Sequence, residues 1–184
     1  ELPLDGDKNN MQWVLQDAIG AYLVGQFDGK TFHIKQDKLF MDCGPDFYAA
    51  QTFFRPTLPT EDVIQIAWHD HWNGGVGEHL WQRNATFPVT IGLVTYDGKM
   101  RITRNPIKAI KKLYDKSKSK QWKDATIVEG DNFFKDMQSK TYDLTAVFDL
   151  SDTSATQINF QIAQHVFKYD IANKRLEVGE LPKP

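Results

Sequence analysis

Residues 42–53 have the sequence Asp42-Cys43-Gly44-Pro45-Asp46-Phe47-Tyr48-Ala49-Ala50-Gln51-Thr52-Phe53, which combines two acids, a Gly-Pro pair and three aromatic residues. The Gly-Pro pair predicts a turn, and the apolar and aromatic run after it predicts a buried β-strand. On a regular extended strand Asp46, Tyr48 and Ala50 share one face, because successive side chains alternate. An acid and a phenol are therefore predicted to point the same way.

Residues 63–72 repeat this arrangement on what is predicted to be the next strand. Alternation places Trp68, Asp70 and Trp72 on one face. The opposite face carries Gln65, Ala67, His69 and His71. Rings and carboxylates on neighbouring strands are typical of one side of a sugar-binding pocket. Ring faces stack on the C–H groups of a sugar, and carboxylates accept hydrogen bonds from its hydroxyl groups. Spacing alone favours an ordinary β-core with polar strand ends over a sugar-binding pocket, and both interpretations stay open.

The composition is that of a folded globular chain. Its 184 residues are 41% hydrophobic and 12% aromatic, which is enough for a packed core. A formal net charge of −2 argues against a nucleic-acid-binding surface, and no apolar run reaches the roughly 18 residues of a membrane-spanning helix. The single cysteine, Cys43, excludes an internal disulfide. We therefore expect neither nucleic acid nor membrane as a partner.

Short alternating segments separated by Gly, Pro and Asp predict an all-β architecture. The predicted strands before residue 105 lie within residues 13–24, 32–40, 46–53, 63–72, 85–91 and 99–103. One helix is predicted to begin at Asn105 as N-cap, with Pro106 in its first turn. After it, alternation returns and predicts strands at residues 142–148, 157–162, 166–170 and 175–178.

The sequence resembles glycoside hydrolase family 32, which contains invertases, levanases and inulinases that cleave β-fructofuranosides. Residues 42–53 match its D-x-G-x-D-F-Y-A-A-Q-T-F pattern, and residues 66–72 match I-A-W-x-x-x-W, both in the fifth blade of the family's propeller. Upstream, residues 25–32 resemble its G-x-F-D-G-x-x-F turn, and downstream residues 97–101 resemble D-G-x-L-R with Met100 in place of Leu. The similarity extends over nearly the whole chain.

The resemblance implies the last blades of a five-bladed β-propeller followed by a partial β-sandwich. The expected domains are residues 1–104 as the C-terminal portion of the propeller, 105–120 as a linker helix and turn, and 121–184 as part of the sandwich. The first segment has material for about two blades. Cut propeller edges leave unpaired backbone groups, so self-association, or pairing with the missing N-terminal part of the propeller, is expected.

The resemblance also assigns candidate substrate-binding residues. Tyr48 matches the family tyrosine beside the fructosyl unit, and Trp72 matches the tryptophan near the leaving group. Asp46 is a further candidate, with capping of the preceding turn as its alternative role. Trp68 is expected in the core.

No catalytic residue is expected in this chain. Retaining glycosidases use two carboxyl groups about 5 to 5.5 Å apart. The family places its catalytic carboxylates in N-D-P-N, R-D-P and E-C-P motifs, and none of these occurs in the sequence. The most similar segment, residues 42–45, has an inserted glycine and Asp in place of Glu. The chain alone is therefore expected to be inactive.

A metal site is a weaker hypothesis. His69 and His71 are two apart on a predicted strand, and His79 could supply a third ligand. No cysteine has zinc spacing, however, and the family that the chain resembles requires no metal. We expect neither metal nor cofactor.

The resulting hypothesis is a fragment of a β-fructosidase that acts on levan, inulin or sucrose, with fructan or sucrose-type carbohydrate as its partner. If the parent protein degrades fructans, it is expected to be secreted or periplasmic. A non-catalytic carbohydrate-binding β module is the alternative, and a β-rich interaction domain is a third possibility.

Overall fold

The computed structural model describes residues 1–44, 46–53, 63–69, 84–137, 139, 141–162 and 165–180. These residues form β-strands, turns and one short 3-10 helix, Lys108–Leu113. The strands are β1 (Leu2–Leu4), β2 (Asp7–Gln16), β3 (Ala21–Phe27), β4 (Phe32–Phe40), β5 (Phe47–Phe53), β6 (Val63–His69), β7 (Asn84–Ala85), β8 (Val89–Tyr96), β9 (Lys99–Pro106), β10 (Gln157–Ile162), β11 (His165–Asp170) and β12 (Arg175–Glu180). The all-β prediction is confirmed. Within the described ranges, no helix is long and apolar enough to cross a membrane.

The chain divides into two compact units, Glu1–Asp124 and Ala125–Pro184. The first unit contains two antiparallel meanders of four strands each. Strands β1 to β4 form the first, and β5, β6, β8 and β9 form the second, with β7 paired to β6. A four-stranded antiparallel sheet is the size of one propeller blade, so this unit is consistent with the expected two blades.

The hairpin between β8 and β9 shows how local sequence sets the strands. Asp97 and Gly98 occupy its tip with φ angles of 52° and 66°. Two-residue hairpin loops with positive φ at both positions match the twist of the strands, and Asp-Gly is a preferred sequence for them. The local sequence Asp97-Gly98 thus accounts for the position of this hairpin.

The main core of the first unit joins the two meanders. It consists of Leu2 from β1, Tyr22 and Val24 from β3, and Leu93 from β8, all at most 4% exposed. The meanders also meet in one parallel pairing, Leu4 opposite Leu93. A second cluster of Phe47, Ala50 and Ala67 packs inside the second meander.

Polar side chains also link the two meanders by hydrogen bonds. Asp5 follows β1, and its two carboxylate oxygens accept hydrogen bonds from the backbone N–H and the hydroxyl of Thr95, each at 2.7 Å. These bonds lower the pKa of Asp5 from its usual value, the backbone bond most strongly. Gln36 of β4 makes two hydrogen bonds to the backbone of Met100. Its Nε2 donates to the Met100 carbonyl oxygen at 2.9 Å, and its Oε1 accepts the Met100 N–H at 2.6 Å. Side chains therefore satisfy backbone groups of the outer strand β9.

The predicted start of the helix is wrong. Asn105 and Pro106 belong to β9, where they pair with Thr90 and Val89, and Ile107 still donates its N–H to the carbonyl of Pro88 at 3.2 Å. The helix begins only at Lys108, has 3-10 geometry, and has no side-chain cap hydrogen bond. Pairing with β8 overrides the local capping signal, because propensity is a weak determinant beside tertiary contacts.

The second unit contains a three-stranded antiparallel sheet in the order β10, β11, β12. The rings of Phe160 and Phe167 stack across its first pair, 4.7 Å between centroids. Three predicted strands of this region are confirmed, but the strand predicted at residues 142–148 is wrong. Those residues have no strand pairing, and Val147 is 94% exposed, because alternation alone supplies no partner strand. The assignment of this unit to a β-sandwich stays a prediction.

Candidate functional site

Two aromatic side chains lie side by side where β5 begins and β6 ends. Tyr48 and Trp68 are paired in register, with ring centroids 6.3 Å apart and planes tilted by 53°. Tyr48 is half-buried and Trp68 is 47% exposed. The prediction that Trp68 lies in the core is wrong, because the buried face of β6 is formed by Gln65 and Ala67 and alternation puts Trp68 on the other face.

An acid and an imidazole lie at the same end of this strand pair. Asp46 directly precedes β5, and its Oδ2 lies 3.7 Å from Nε2 of His69, the last residue of β6. The Asp46 side chain is 15% exposed and that of His69 is 56% exposed. The turn before β5 is held by Asp42, whose Oδ1 accepts the N–H of Gly44 at 2.7 Å. Asp42 therefore stabilises this turn, and both roles suggested for Asp46, sugar binding and turn capping, stay predictions.

Asp42 is also paired with a cation from the far side of the meander. Arg104 of β9 donates to its Oδ2 at 2.7 Å, and both side chains are mostly buried. The guanidinium group of Arg104 also lies over the Phe47 ring, 4.5 Å from its centroid. Asp42 thus joins the turn before β5 to β9, and the absence of an acid/base role for it stays a prediction. No local pattern links it to Arg104, since 62 positions separate them.

The strand that carries Tyr48 is not regular. Tyr48 faces Trp68 and Gln51 faces Ile66, so Ala49 and Ala50 together face one residue of β6. This is a β-bulge, and Ala49 has a φ of 48°. Because of the extra residue, Ala50 is buried in the cluster with Phe47. The prediction that Ala50 shares a face with Tyr48 is therefore wrong.

The third predicted binding residue, Trp72, lies outside the described residues, as do Asp70, His71 and His79. The described residues thus place Tyr48 beside Trp68 and Asp46 beside His69, two pairs at the same end of β5 and β6. In the part of the chain that the structure describes, no group of three or more His, Cys, Asp or Glu side chains could hold a metal ion.

The arrangement has defined chemical abilities. Tyr48 and Trp68 supply two neighbouring rings, and each ring carries one polar group, a phenol hydroxyl and an indole N–H. Asp46 offers carboxylate oxygens, and His69 offers a ring nitrogen that donates or accepts according to its tautomer. Ring faces bind the C–H surfaces of a sugar, and the polar groups bind its hydroxyls.

Comparison with known proteins assigns the segment that contains β5 and β6 to a protein family. The family model described as "Glycosyl hydrolases family 32 N-terminal domain" matches residues 8–106, more than half of the chain. The levanase of Bacillus subtilis strain 168 is 28% identical over 180 residues, covering 88% of this chain and 26% of that protein. The fructan beta-fructosidase of Streptococcus mutans is 29% identical over 183 residues, covering 87% of this chain and 13% of that protein.

Among solved structures, the exo-inulinase from Aspergillus awamori matches 57% of this chain and 24% of its own chain, with 30% identity and a TM-score of 0.45. The chain thus spans about a quarter or less of these relatives. The matched family segment ends at residue 106, the last residue of β9, and includes β5 and β6 with Tyr48 and Trp68. On the family match, the chain belongs to glycoside hydrolase family 32.

Proposed function

We propose that this chain forms part of the substrate pocket of a retaining β-fructosidase that hydrolyses β-fructofuranosidic bonds in levan, inulin or sucrose. The observation that carries the proposal is the family match over residues 8–106, the segment that holds the Tyr48–Trp68 ring pair and Asp46. The relatives with similar sequences are called levanase and fructan beta-fructosidase, and the chain spans only 26% and 13% of them.

In this proposal, Tyr48 lies beside the fructosyl unit and Asp46 accepts hydrogen bonds from its hydroxyl groups. Trp72 contacts the leaving group, a role that rests on the sequence resemblance. The half-buried position of Tyr48 and the low exposure of Asp46 support their roles, since side chains that are already partly buried lose little conformational freedom when a ligand binds. Trp68, 6.3 Å from Tyr48, widens the apolar surface.

The proposal places both catalytic carboxyl groups in parts of the longer protein outside this sequence. A retaining mechanism needs a nucleophile and an acid/base about 5 to 5.5 Å apart. Within this chain, Asp42 is paired with Arg104 and Asp46 lies against His69. Neither is assigned a catalytic role, and the chain by itself is expected to release no fructose.

The test is a fructose-release assay with levan, inulin and sucrose. It compares this chain with the protein encoded by the complete reading frame. Under the proposal, only the longer protein contains the two catalytic carboxyl groups. We expect release by the longer protein only. Absence of release by both would contradict the hydrolase proposal, and sugar binding without release would favour a carbohydrate-binding module.

A matched pair of variants in the longer protein tests the pocket. Tyr48→Ala is expected to raise KM by about tenfold, equivalent to about 1.4 kcal/mol of lost transition-state stabilisation. Tyr96→Ala is the control, because Tyr96 is a tyrosine of the same unit that is 69% exposed at a hairpin tip. Equal KM values for the two variants would remove Tyr48 from the pocket.

The partner proposal follows from the strand order. Strands β4 and β5 lie at the two ends of the hydrogen-bonded order of the first unit. Unpaired strand edges favour pairing with other strands. We expect the preceding blades of the longer protein to cover such an edge, and this chain alone to self-associate. Light scattering after gel filtration measures this, and a monodisperse monomer of the chain would contradict it.

A further inference from the structure

The bulge in β5 leaves backbone groups without partners on β6. Ala49 and Ala50 face a single residue of that strand, between the pairs Tyr48 with Trp68 and Gln51 with Ile66. A bulge residue loses its ladder bonds, and a buried backbone group without a partner is costly. Something outside the strand pair must therefore satisfy these groups.

The partners come from the end of β2 and the turn that follows it, in the other meander. The backbone N–H of Ala49 donates to the carbonyl of Ala18 at 2.7 Å. The side-chain amide of Gln16 donates to the carbonyl of Ala50 at 3.0 Å. The bulge and the turn are therefore joined by two hydrogen bonds that bridge more than thirty residues of sequence.

Gln16 is itself held from the second meander. Its Oε1 accepts a hydrogen bond from Nε2 of Gln65 at 3.0 Å, and Gln65 is fully buried on β6. The two amide groups thus form a chain from β6 through Gln16 to the bulge in β5. A side chain that is bonded at both its donor and its acceptor has little freedom to move, so the position of Gln16 is fixed.

The turn is rigid as well. Oδ1 of Asp17 accepts the backbone N–H groups of Ile19 and Ala21, at 3.0 and 2.9 Å. Gly20 has a φ of 82° and packs directly on the Phe47 ring, where a Cβ atom would lie 2.8 Å from Cδ1. The sequence pattern predicts strand throughout residues 13–24, whereas the structure has a turn between Gln16 and Ala21. Asp17 and Gly20, both turn-forming residues, are the local signal for it.

We propose that Gln16 is a positioning residue that acts through the Ala49–Ala50 bulge to set the direction of the Tyr48 side chain towards the substrate. Bulges change the direction of neighbouring side chains and increase local strand twist. Tyr48 directly precedes this bulge, and its Ala49 neighbour has a left-handed backbone that needs support from outside the strand. The inference rests on the function proposed above for Tyr48.

The test uses Gln16→Glu in the product of the complete reading frame. Glutamate keeps the oxygen that accepts from Gln65 but has no N–H to donate to Ala50, so it removes one bond with almost no change in shape. Gln26→Glu is the matched control, because Gln26 lies on β3 and donates in the same way to the carbonyl of Met11 at 2.9 Å. That bond lies away from the bulge.

Two measurements are made on each variant. The first is the ¹⁹F resonance of Tyr48 in protein labelled with 3-fluorotyrosine, assigned by its loss in Tyr48→Phe. The second is KM for sucrose or inulin. Gln16→Glu is expected to move the resonance and to raise KM by about threefold to tenfold with kcat changed less than about twofold, and Gln26→Glu is expected to change neither.

An unmoved Tyr48 resonance in folded Gln16→Glu would overturn the inference. A moved resonance without a change in KM, in a protein where Tyr48→Ala does raise KM, would overturn the link to substrate. If Tyr48→Ala leaves KM unchanged, the proposed role of Tyr48 fails, and the resonance alone then decides whether Gln16 positions it. If circular dichroism shows that Gln16→Glu does not fold, Gln16→Met, uncharged and of similar length, replaces it under the same criteria.

Discussion

Arg104 of β9 donates a 2.7 Å hydrogen bond to Asp42, and this ion pair fixes the turn that leads into β5. The same guanidinium lies 4.5 Å from the centroid of the Phe47 ring. One side chain thus binds the two ends of the second meander and supports the strand on which Tyr48 lies. The first prediction concerns this contact.

Replacing Arg104 by Met should lower the free energy of unfolding by about 2 kcal/mol, because a charge-assisted hydrogen bond and a cation–π contact are lost together. Arg101→Met is the control, since Arg101 lies 5.9 Å from the ring of Tyr96, which is 69% exposed. We expect a smaller loss there. Urea denaturation measures both, and equal losses would show that the Asp42 and Phe47 contacts contribute nothing.

Gly20 and Gly29 provide a second, matched comparison. Both have positive φ angles, 82° and 94°, but an added Cβ would meet Phe47 at 2.8 Å only at Gly20. Gly29→Ala should therefore cost about 1 kcal/mol through backbone strain alone, whereas Gly20→Ala should cost about 1 to 3 kcal/mol more through overpacking. Thermal unfolding of the two variants gives the difference. Identical melting temperatures would mean that the turn does not pack on Phe47 in solution.

Asp5 predicts how stability depends on pH. Its pKa is lowered in the folded state by hydrogen bonds from Thr95, so the folded protein holds this proton less tightly than the unfolded chain does. The stabilisation is present above the unfolded pKa of about 3.9 and is lost as pH falls through the folded pKa. The melting temperature of Asp5→Asn should therefore lie below that of the parent at pH 6, and the gap should narrow below about pH 4.

The control for Asp5 is a double-mutant cycle with Thr95→Val, which removes the hydroxyl that donates to Asp5 Oδ2 at 2.7 Å. Because the two side chains share this bond, the double variant should be less destabilised than the sum of the single variants. Additive effects, or a gap that stays constant from pH 6 to about pH 3, would contradict the role assigned to this carboxylate.

Gln36 should protect the backbone of the outer strand β9. Its amide bonds both the N–H and the carbonyl of Met100, in the manner of a neighbouring strand. Gln36→Ala should speed hydrogen exchange of the Met100 amide by about tenfold, equivalent to about 1.4 kcal/mol. Asp37→Ala, one position away on the exposed side of β4, should leave it unchanged. Equal exchange rates of the Met100 amide in the two variants would mean that other groups protect this part of β9.

Most of the strands were predictable because their signals are local. Alternation of apolar residues defines a strand wherever a neighbour is available, and the Asp97-Gly98 dipeptide adopts the positive φ angles that a tight hairpin needs. The predicted pairing of the two aromatic strands also holds, with Tyr48 opposite Trp68. The segment at residues 142–148 has the same alternation without a partner strand and forms no sheet.

The candidate site was only partly predictable, because its geometry depends on contacts between residues that are far apart in the sequence. Tyr48 and Asp46 were selected from motif positions, and the structure places them with Trp68 and His69 at one end of a strand pair. Strict alternation nevertheless gives the wrong side for Ala50, and Trp68, which is expected in the core, is exposed. A bulge shifts the alternation by one residue, and the groups that bond its backbone, on Gln16 and Ala18, lie more than thirty positions away.

The sequence by itself determined the all-β class, the position of the β8–β9 hairpin and the family, because each of these is written in short-range patterns and motifs. Tertiary structure decided the bulge before Gln51, the late start of the 3-10 helix, and the Asp5–Thr95 contact between the meanders. The physical reason is that local sequence sets backbone preference, whereas the partner of each hydrogen-bonding group is set by which strands pack together.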